Sequence, residues 1–200
     1  MASSEVMASL LPADIQRETP DVEARLVRAA QQGDRAAFDR LVASHAHAVL
    51  RSAAIVLGSQ EDAEDVAQET FIAAYRNIAT YRPEAPFGAW LHRIAINRSY
   101  DLIRSRQRRA KLVEEVGALQ PTSEADQALE SARLSERNAD VRELIAGLDE
   151  KMRALVTLRF LEGMKVRDIA IALDMPEGTV KRRLHDVLKL LRTRMEGANA

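Results

Sequence analysis

The stretch EDAEDVAQETFIAAY, residues Glu61–Tyr75, decides the fold class. Ala63, Val66, Ala67, Thr70, Phe71 and Ala74 recur at offsets of three, four, seven, eight and eleven, so they line one face of an α-helix. Just upstream, Gly58-Ser59 ends the preceding periodicity, and Ser59 with Asp62 three residues on reads as an N-cap. The rest of the surface carries charge of one sign: Glu61, Asp62, Glu64, Asp65 and Glu69 put five acids and no base into nine residues. Such a face either keeps the helix soluble and complements its dipole, or meets a partner.

Working outward, the same periodicity continues in both directions. Upstream, a helical pattern begins near Asp21 with Leu26, Ala29 and Ala30, breaks at Gly33-Asp34, and resumes through Phe38, Leu41, Val42, His45 and Val49. Downstream, a loop holding Pro83 and Pro86 leads into a helix from about Phe87 to Arg109. No long stretch alternates with period two, so the first half reads as a helical bundle. Residues 1–24 are polar and acidic with little periodicity, and read as a flexible tail. Residues 110–137 are acidic and interrupted by Gly117, Pro121, Thr122 and Ser123, and read as a linker. Helical pattern returns with Val141, Leu144, Ile145 and Leu148, continues through Leu155–Leu161 and stops at Gly163. Then Val166–Leu173 and Val180–Met195, parted by Asp174-Met175-Pro176-Glu177-Gly178, form a short helix, a tight turn and a longer helix. The expectation is an all-α protein of two small helical domains. It has a tail at 1–24, an N-terminal bundle at 25–109, a linker at 110–137 and a C-terminal helix-turn-helix domain at 138–195.

Composition narrows the chemistry. At 200 residues the chain can fill one domain or two small ones, and aromatics at 4% favour helix over β-sandwich. Cysteine is absent, which excludes disulfides, zinc ribbons and thiol nucleophiles. Of His45, His47, His92 and His185 only the first two are close, and a spacing of two points them to different helix faces, so no metal or other cofactor is expected. No apolar run approaches eighteen residues and the N-terminus carries Glu5 and Asp14, so the expected location is the cytoplasm. Lys and Arg number 29 against 30 acids, and this net charge of −1, taken whole, argues against nucleic-acid binding.

The distribution of charge argues the other way. Arg93–Lys111 holds seven bases and one acid, and Lys181–Arg194 holds six bases and one acid. In the first of these, Arg93, Ile96, Asn97, Tyr100 and Arg104 share a helix face, with Trp90 just before it. Guanidinium suits phosphate, amide suits a base edge, and a ring suits an unpaired base. In the second, Val180, Leu184, Val187, Leu188 and Leu191 form one apolar face, leaving Thr179, Lys181, Arg182, Arg183 and His185 near the helix start. A recognition helix presents its N-terminal residues to the major groove, where donors are needed. A basic helix by itself is more often a solvated face, and a lone Trp is more often core. Here the turn, the short preceding helix and the placement of the bases coincide.

Through these motifs the chain resembles bacterial RNA polymerase sigma factors of the extracytoplasmic-function (ECF) type, which keep only regions two and four. The resemblance rests on GDRAAFDRLV (Gly33–Val42), EDAEDVAQETFIAAY (Glu61–Tyr75), YRPEAPFGAWLHRIAINRSYDLIR (Tyr81–Arg104), LVTLRFLEGMKVRDIAIAL (Leu155–Leu173) and PEGTVKRRLH (Pro176–His185). It implies that Asp62, Asp65, Gln68 and Glu69 dock on core RNA polymerase. It implies also that Tyr81–Trp90 captures a flipped non-template base, and that Arg93, Asn97, Tyr100 and Arg104 read and help melt the minus-ten element of promoter DNA. Lys181, Arg182, Arg183 and His185 would then read the minus-thirty-five element, with the linker threading towards the RNA exit path. An anti-sigma factor, of a kind often held at a membrane, is the implied regulator, and no catalytic residue is implied. The sequence departs from the family pattern at Asp174, where glycine is usual, at Arg182, where serine is, and at Gly88, where a bulkier residue is. A sigma mimic that occupies an anti-sigma factor, or a stand-alone helix-turn-helix regulator, are the competing functions. The regulator leaves the acidic Glu61–Glu69 helix and the Trp90–Arg104 face without a task, and a mimic could discard the basic residues kept here.

Overall fold

The structure, a computed structural model, describes residues 20–115 and 145–198, and among them it contains helices and connecting turns but no strand. The expectations for the tail up to residue 19 and for most of the linker lie outside the described residues. Four helices make the first half: α1 (Pro20–Gln31), α2 (Arg35–Leu57), α3 (Gln60–Asn77) and α4 (Phe87–Glu115). The second half holds α5 (Glu150–Val156), α6 (Val166–Ala172) and α7 (Glu177–Ala198).

The breaks fall where local chemistry puts them. Gly33 adopts φ +95°, and Asp34 then caps α2 by accepting from the Ala37 amide at 3.1 Å. Gly58, at φ +72°, closes α2 with a left-handed cap, and the Ser59 hydroxyl caps α3 by accepting from the Asp62 amide at 3.3 Å. Asp149 does the same for α5, accepting from Met152 N–H at 2.8 Å. The turn before α7 places Asp174 at φ +52°, the left-handed position that Asp tolerates better than most residues once glycine is set aside.

Helix α7 starts at Glu177 rather than Val180 and runs past Met195 to Ala198, and two further boundaries differ from expectation. Helix α4 continues to Glu115 rather than ending near Arg109, because Ala110, Lys111 and Leu112 are good helix formers and nothing interrupts them before Gly117. The segment after Val156 does not run on as ordinary α-helix. Thr157–Leu161 is a widened π turn, closed by the Glu162 amide donating to the Thr157 carbonyl at 3.0 Å.

Each half has its own apolar centre. In the first, Leu26, Phe38, Leu41, Val49, Phe87, Leu91 and Ala95 pack from α1, α2 and α4, while Ala53, Ala63 and Val66 join α2 to α3. In the second, Leu155, Leu158, Ile169, Val180 and Leu184 gather the three helices. The halves also touch. Val56 of α2 and Ile96 of α4 bury against Ala154 of α5, flanked by Tyr100, Ile103 and Leu173.

Candidate nucleic-acid interface

The loop between α3 and α4 is shaped from below. Gln31 of α1 donates through Nε2 to the carbonyls of Ile78 and Tyr81, both at 3.0 Å, and the Tyr81 hydroxyl donates to Ala85 O at 2.7 Å across the loop. Tyr81, Phe87 and Trp90 form an aromatic cluster with centroids 5.3 to 5.5 Å apart. Burial pushes the Tyr81 phenol up to about 12, and the nearby Glu23 carboxylate adds to the effect. His45 stands beneath the start of α4, 5.6 Å from the Phe87 ring centroid, with Nε2 2.9 Å from Glu23 Oε2. A Cβ at residue 88 would lie 3.2 Å from His45 Cε1, a tight approach that asks the imidazole to give by a few tenths of an ångström. Trp90 therefore serves packing in part: it is half-buried, with the remainder facing a cleft.

The minus-ten residues suggested by sequence do not form one open face. Asn97 and Arg104 are exposed, Arg104 pairing with Asp101 at 2.6 Å, and Arg93 is exposed with its guanidinium 3.9 Å from Asp174 of the second half. Ile96 is fully buried, and Tyr100 lies beneath α5 with its hydroxyl out of reach of solvent. Burial drives the Tyr100 phenol well above its ordinary range, with the carboxylates of Glu150 and Asp149 adding to the rise. All of these residues lie on α4, yet part of the surface they share is covered by the chain's own second half.

The acidic helix and the basic helix, legible separately in the sequence, lie side by side. Asp62 pairs with Arg106 and Glu69 with Arg98, so two acids of α3 are partly neutralised by α4. Asp65 and Gln68 remain exposed, as do the neighbouring apolar side chains Ile72 and Tyr75. On α7, Lys181, Arg182 and His185 are exposed at the helix start, while Thr179 and Arg183 are half-buried. Arg183 turns back, with Nη1 3.9 Å from the Met175 sulfur.

Between the halves lies an open cleft of about 730 Å³. One wall carries Tyr81, Trp90 and Arg93, and the other Arg167, Asp174 and Met175. Sequence reasoning missed an ion pair that also joins the two halves. Arg51 of α2 donates through Nε and Nη2 to Glu162 Oε1 at 3.1 and 2.7 Å, and the Ser52 hydroxyl lies 3.4 Å from the same oxygen. Arg51 and Glu162 are 111 residues apart in the chain, so no local pattern announces them. Among the described residues no group of three or more His, Asp or Glu side chains is placed to hold a metal ion. No helix among them is long and apolar enough to cross a membrane.

Comparison with known proteins gives this arrangement a family. Residues 41–109 match Sigma-70 region 2, and residues 138–191 match Sigma-70, region 4. The RNA polymerase sigma-H factor of Pseudomonas aeruginosa is 35% identical over 173 residues, covering 83% of this chain and 90% of that one. The ECF RNA polymerase sigma-E factor of Haemophilus influenzae is 33% identical, covering 86% of this chain and 94% of its own length. Among solved structures, CnrH in complex with the cytosolic domain of CnrY superposes with a TM-score of 0.65 at 26% identity, over 88% of this chain and 98% of that one. With both regions present in order and relatives matched over nearly their whole length, the chain belongs to the ECF sigma factors, the subunits that direct RNA polymerase to promoters.

Proposed function

We propose that this sigma factor divides its work among three surfaces. The outer side of α3, with exposed Asp65, Gln68 and Glu69 and the half-buried Asp62 beside exposed Ile72 and Tyr75, docks on core polymerase. The loop 81–90 and the α4 face of Arg93, Asn97, Tyr100 and Arg104 take the unpaired non-template strand at the minus-ten element. Thr179, Lys181, Arg182, Arg183 and His185 read the minus-thirty-five element in duplex form. The observation that carries this reading is the start of α7. Three basic or imidazole side chains stand exposed within its first nine residues, directly after a turn that holds Asp174 at φ +52°.

The two DNA-reading surfaces gain affinity by being tethered to one polymerase, which accounts for a chain with no net basic charge. Trapping unpaired bases needs rings and amides rather than a nucleophile, and the chain acts as a cytoplasmic specificity subunit, not an enzyme, without a cofactor. The relative CnrH is seen with the cytosolic domain of CnrY. By analogy, an anti-sigma factor regulates this chain too. Transcription in vitro with core polymerase on a genomic library tests the whole assignment. Promoter-specific transcripts are expected with the parent chain. Charge reversal at Asp65 and Glu69 should weaken core binding with the fold intact; unchanged core affinity would remove the docking role from α3.

A further inference from the structure

Helix α1 lies before residue 41, where the match to Sigma-70 region 2 begins, yet its last residue holds the loop given above to the unpaired base. Gln31 Nε2 donates both of its hydrogens to backbone carbonyls, those of Ile78 and Tyr81, each at 3.0 Å. These two carbonyls bracket the short 3₁₀ turn Ile78–Thr80, the point at which the chain leaves α3 for the loop. Gln31 is itself fixed in place. Leu26, Val27 and Ala30 bury α1 in the apolar centre of the first half, and Gly33, at φ +95°, ends the helix with its amide on Ala30 O at 3.0 Å. Glu23, earlier on α1, meets His45 at 2.9 Å beside Phe87, where the loop ends.

We infer that Gln31 is a positioning residue for promoter recognition. Its carboxamide staples the entry of the loop 81–86 in the shape that receives a flipped non-template base, which makes α1 part of the strand-reading apparatus. The inference rests on the base-capturing role given to that loop. A loop that is free before binding must be ordered as the base arrives, and that cost is subtracted from affinity. A loop fixed beforehand keeps the whole gain from stacking on the base. Other anchors act within the loop: the Tyr81 hydroxyl on Ala85 O at 2.7 Å, and Arg82 Nη1 on Ala79 O at 3.0 Å. Burial of Tyr81 and Phe87 holds the two ends to the core, but apolar contact is non-directional. The Gln31 staple is directional. It sets which way the peptide after Tyr81 faces, and so the direction in which residues 82–85 leave the core. The chemistry required is narrow, namely one terminal nitrogen with at least two hydrogens. Methionine has a similar length and offers none, whereas a lysine ammonium offers three.

The test uses the full chain assembled with core polymerase, on the strongest promoter recovered from the genomic library and pre-opened by mismatches over the minus-ten element. Each unpaired non-template position in turn carries either its base or an abasic site. At the captured position the parent should lose about tenfold in affinity when the base is removed. In Gln31→Met that ratio should fall to about twofold, and in Gln31→Lys it should return towards the parent's. A ratio of two affinities taken on one preparation is blind to the fraction folded and to core binding, so a purely structural role for Gln31 would not move it. Helix content is followed by circular dichroism. Should Gln31→Met fail to fold, Gln31→Ala, with a strong helix former at a helix end, carries the test. A further chain, with Arg82, Pro83, Glu84 and Ala85 all replaced by glycine, separates two ways of failing. If this glycine loop loses the ratio while a folded Gln31→Met keeps it, positioning by Gln31 is overturned and the role of the loop stands. If the glycine loop keeps the ratio, or no position shows one in the parent, the loop does not hold the base, and its role and the proposal fall together.

Discussion

Replacing Gly88 by alanine sets two effects of known size against each other. Gly88 is the second residue of α4, and alanine would gain up to about 1 kcal/mol in helix propensity. The added methyl would meet His45, with Cε1 at 3.2 Å and Nδ1 at 3.4 Å, closer than a relaxed approach. That imidazole cannot easily retreat, being held by Glu23 at 2.9 Å and packed edge-on against Phe87. Overpacking of this kind costs about 1–3 kcal/mol, so the clash outweighs the propensity gain and Gly88→Ala should destabilise by about 1 kcal/mol. In a His45→Ala background the obstacle is gone, and the same substitution should stabilise by up to about 1 kcal/mol. The coupling between the two sites is then about 1–2 kcal/mol. Urea denaturation of all four chains, followed by circular dichroism, measures it. For a chain of this length each kcal/mol also moves the thermal midpoint by roughly 2–4 °C. If Gly88→Ala stabilised both backgrounds equally, the steric account of residue 88 would be refuted. The consequence reaches function because the loop of residues 81–86 runs directly into Phe87.

Three further outcomes are expected. The Tyr81 phenol, raised from 10 to about 12, stays neutral in the folded chain over a range where the unfolded chain ionises. Stability should therefore be complete below pH 10 and fall as pH rises through that window, and Tyr81→Phe should reduce this alkaline loss in denaturation curves taken across it, leaving the share that comes from the Tyr100 phenol, which burial also raises. Asp149→Ala removes the side-chain cap on α5, a helix of seven residues, and should cost about 1 kcal/mol in urea unfolding; no change would mean that packing, not the cap, holds α5. Replacing Lys181 and Arg182 by alanine should weaken binding to an isolated upstream element by about 1–3 kcal/mol for each base edge left unread, and should flatten the salt dependence of that binding. Selectivity for that element surviving in the double variant would remove α7 from the recognition role.

Much of the local structure is legible in the sequence alone. Ser59, Asp34, Gly58 and Asp174 act through bonds within a few residues of themselves, so their types and spacing specify the caps and the left-handed turn. The apolar faces of α2, α3 and α7 follow from a period of 3.6, which is a property of the helix and not of its neighbours. The division of charge is likewise readable: a net of −1 resolves into basic segments on α4 and α7 and an acidic α3. Other features depend on which elements meet, and only packing decides that. The pairing of Asp62 with Arg106 and Glu69 with Arg98 turns two separate charge runs into one partly neutralised surface. The π turn at Thr157–Leu161 carries no residue type that announces it. Above all, Arg51 meets Glu162 across 111 residues, and Tyr100 goes from a strand-reading ring to a partly buried one with its hydroxyl enclosed, through packing between halves separated by the linker. A helix face can be worked out from periodicity, but whether that face sees solvent depends on what the rest of the chain lays over it.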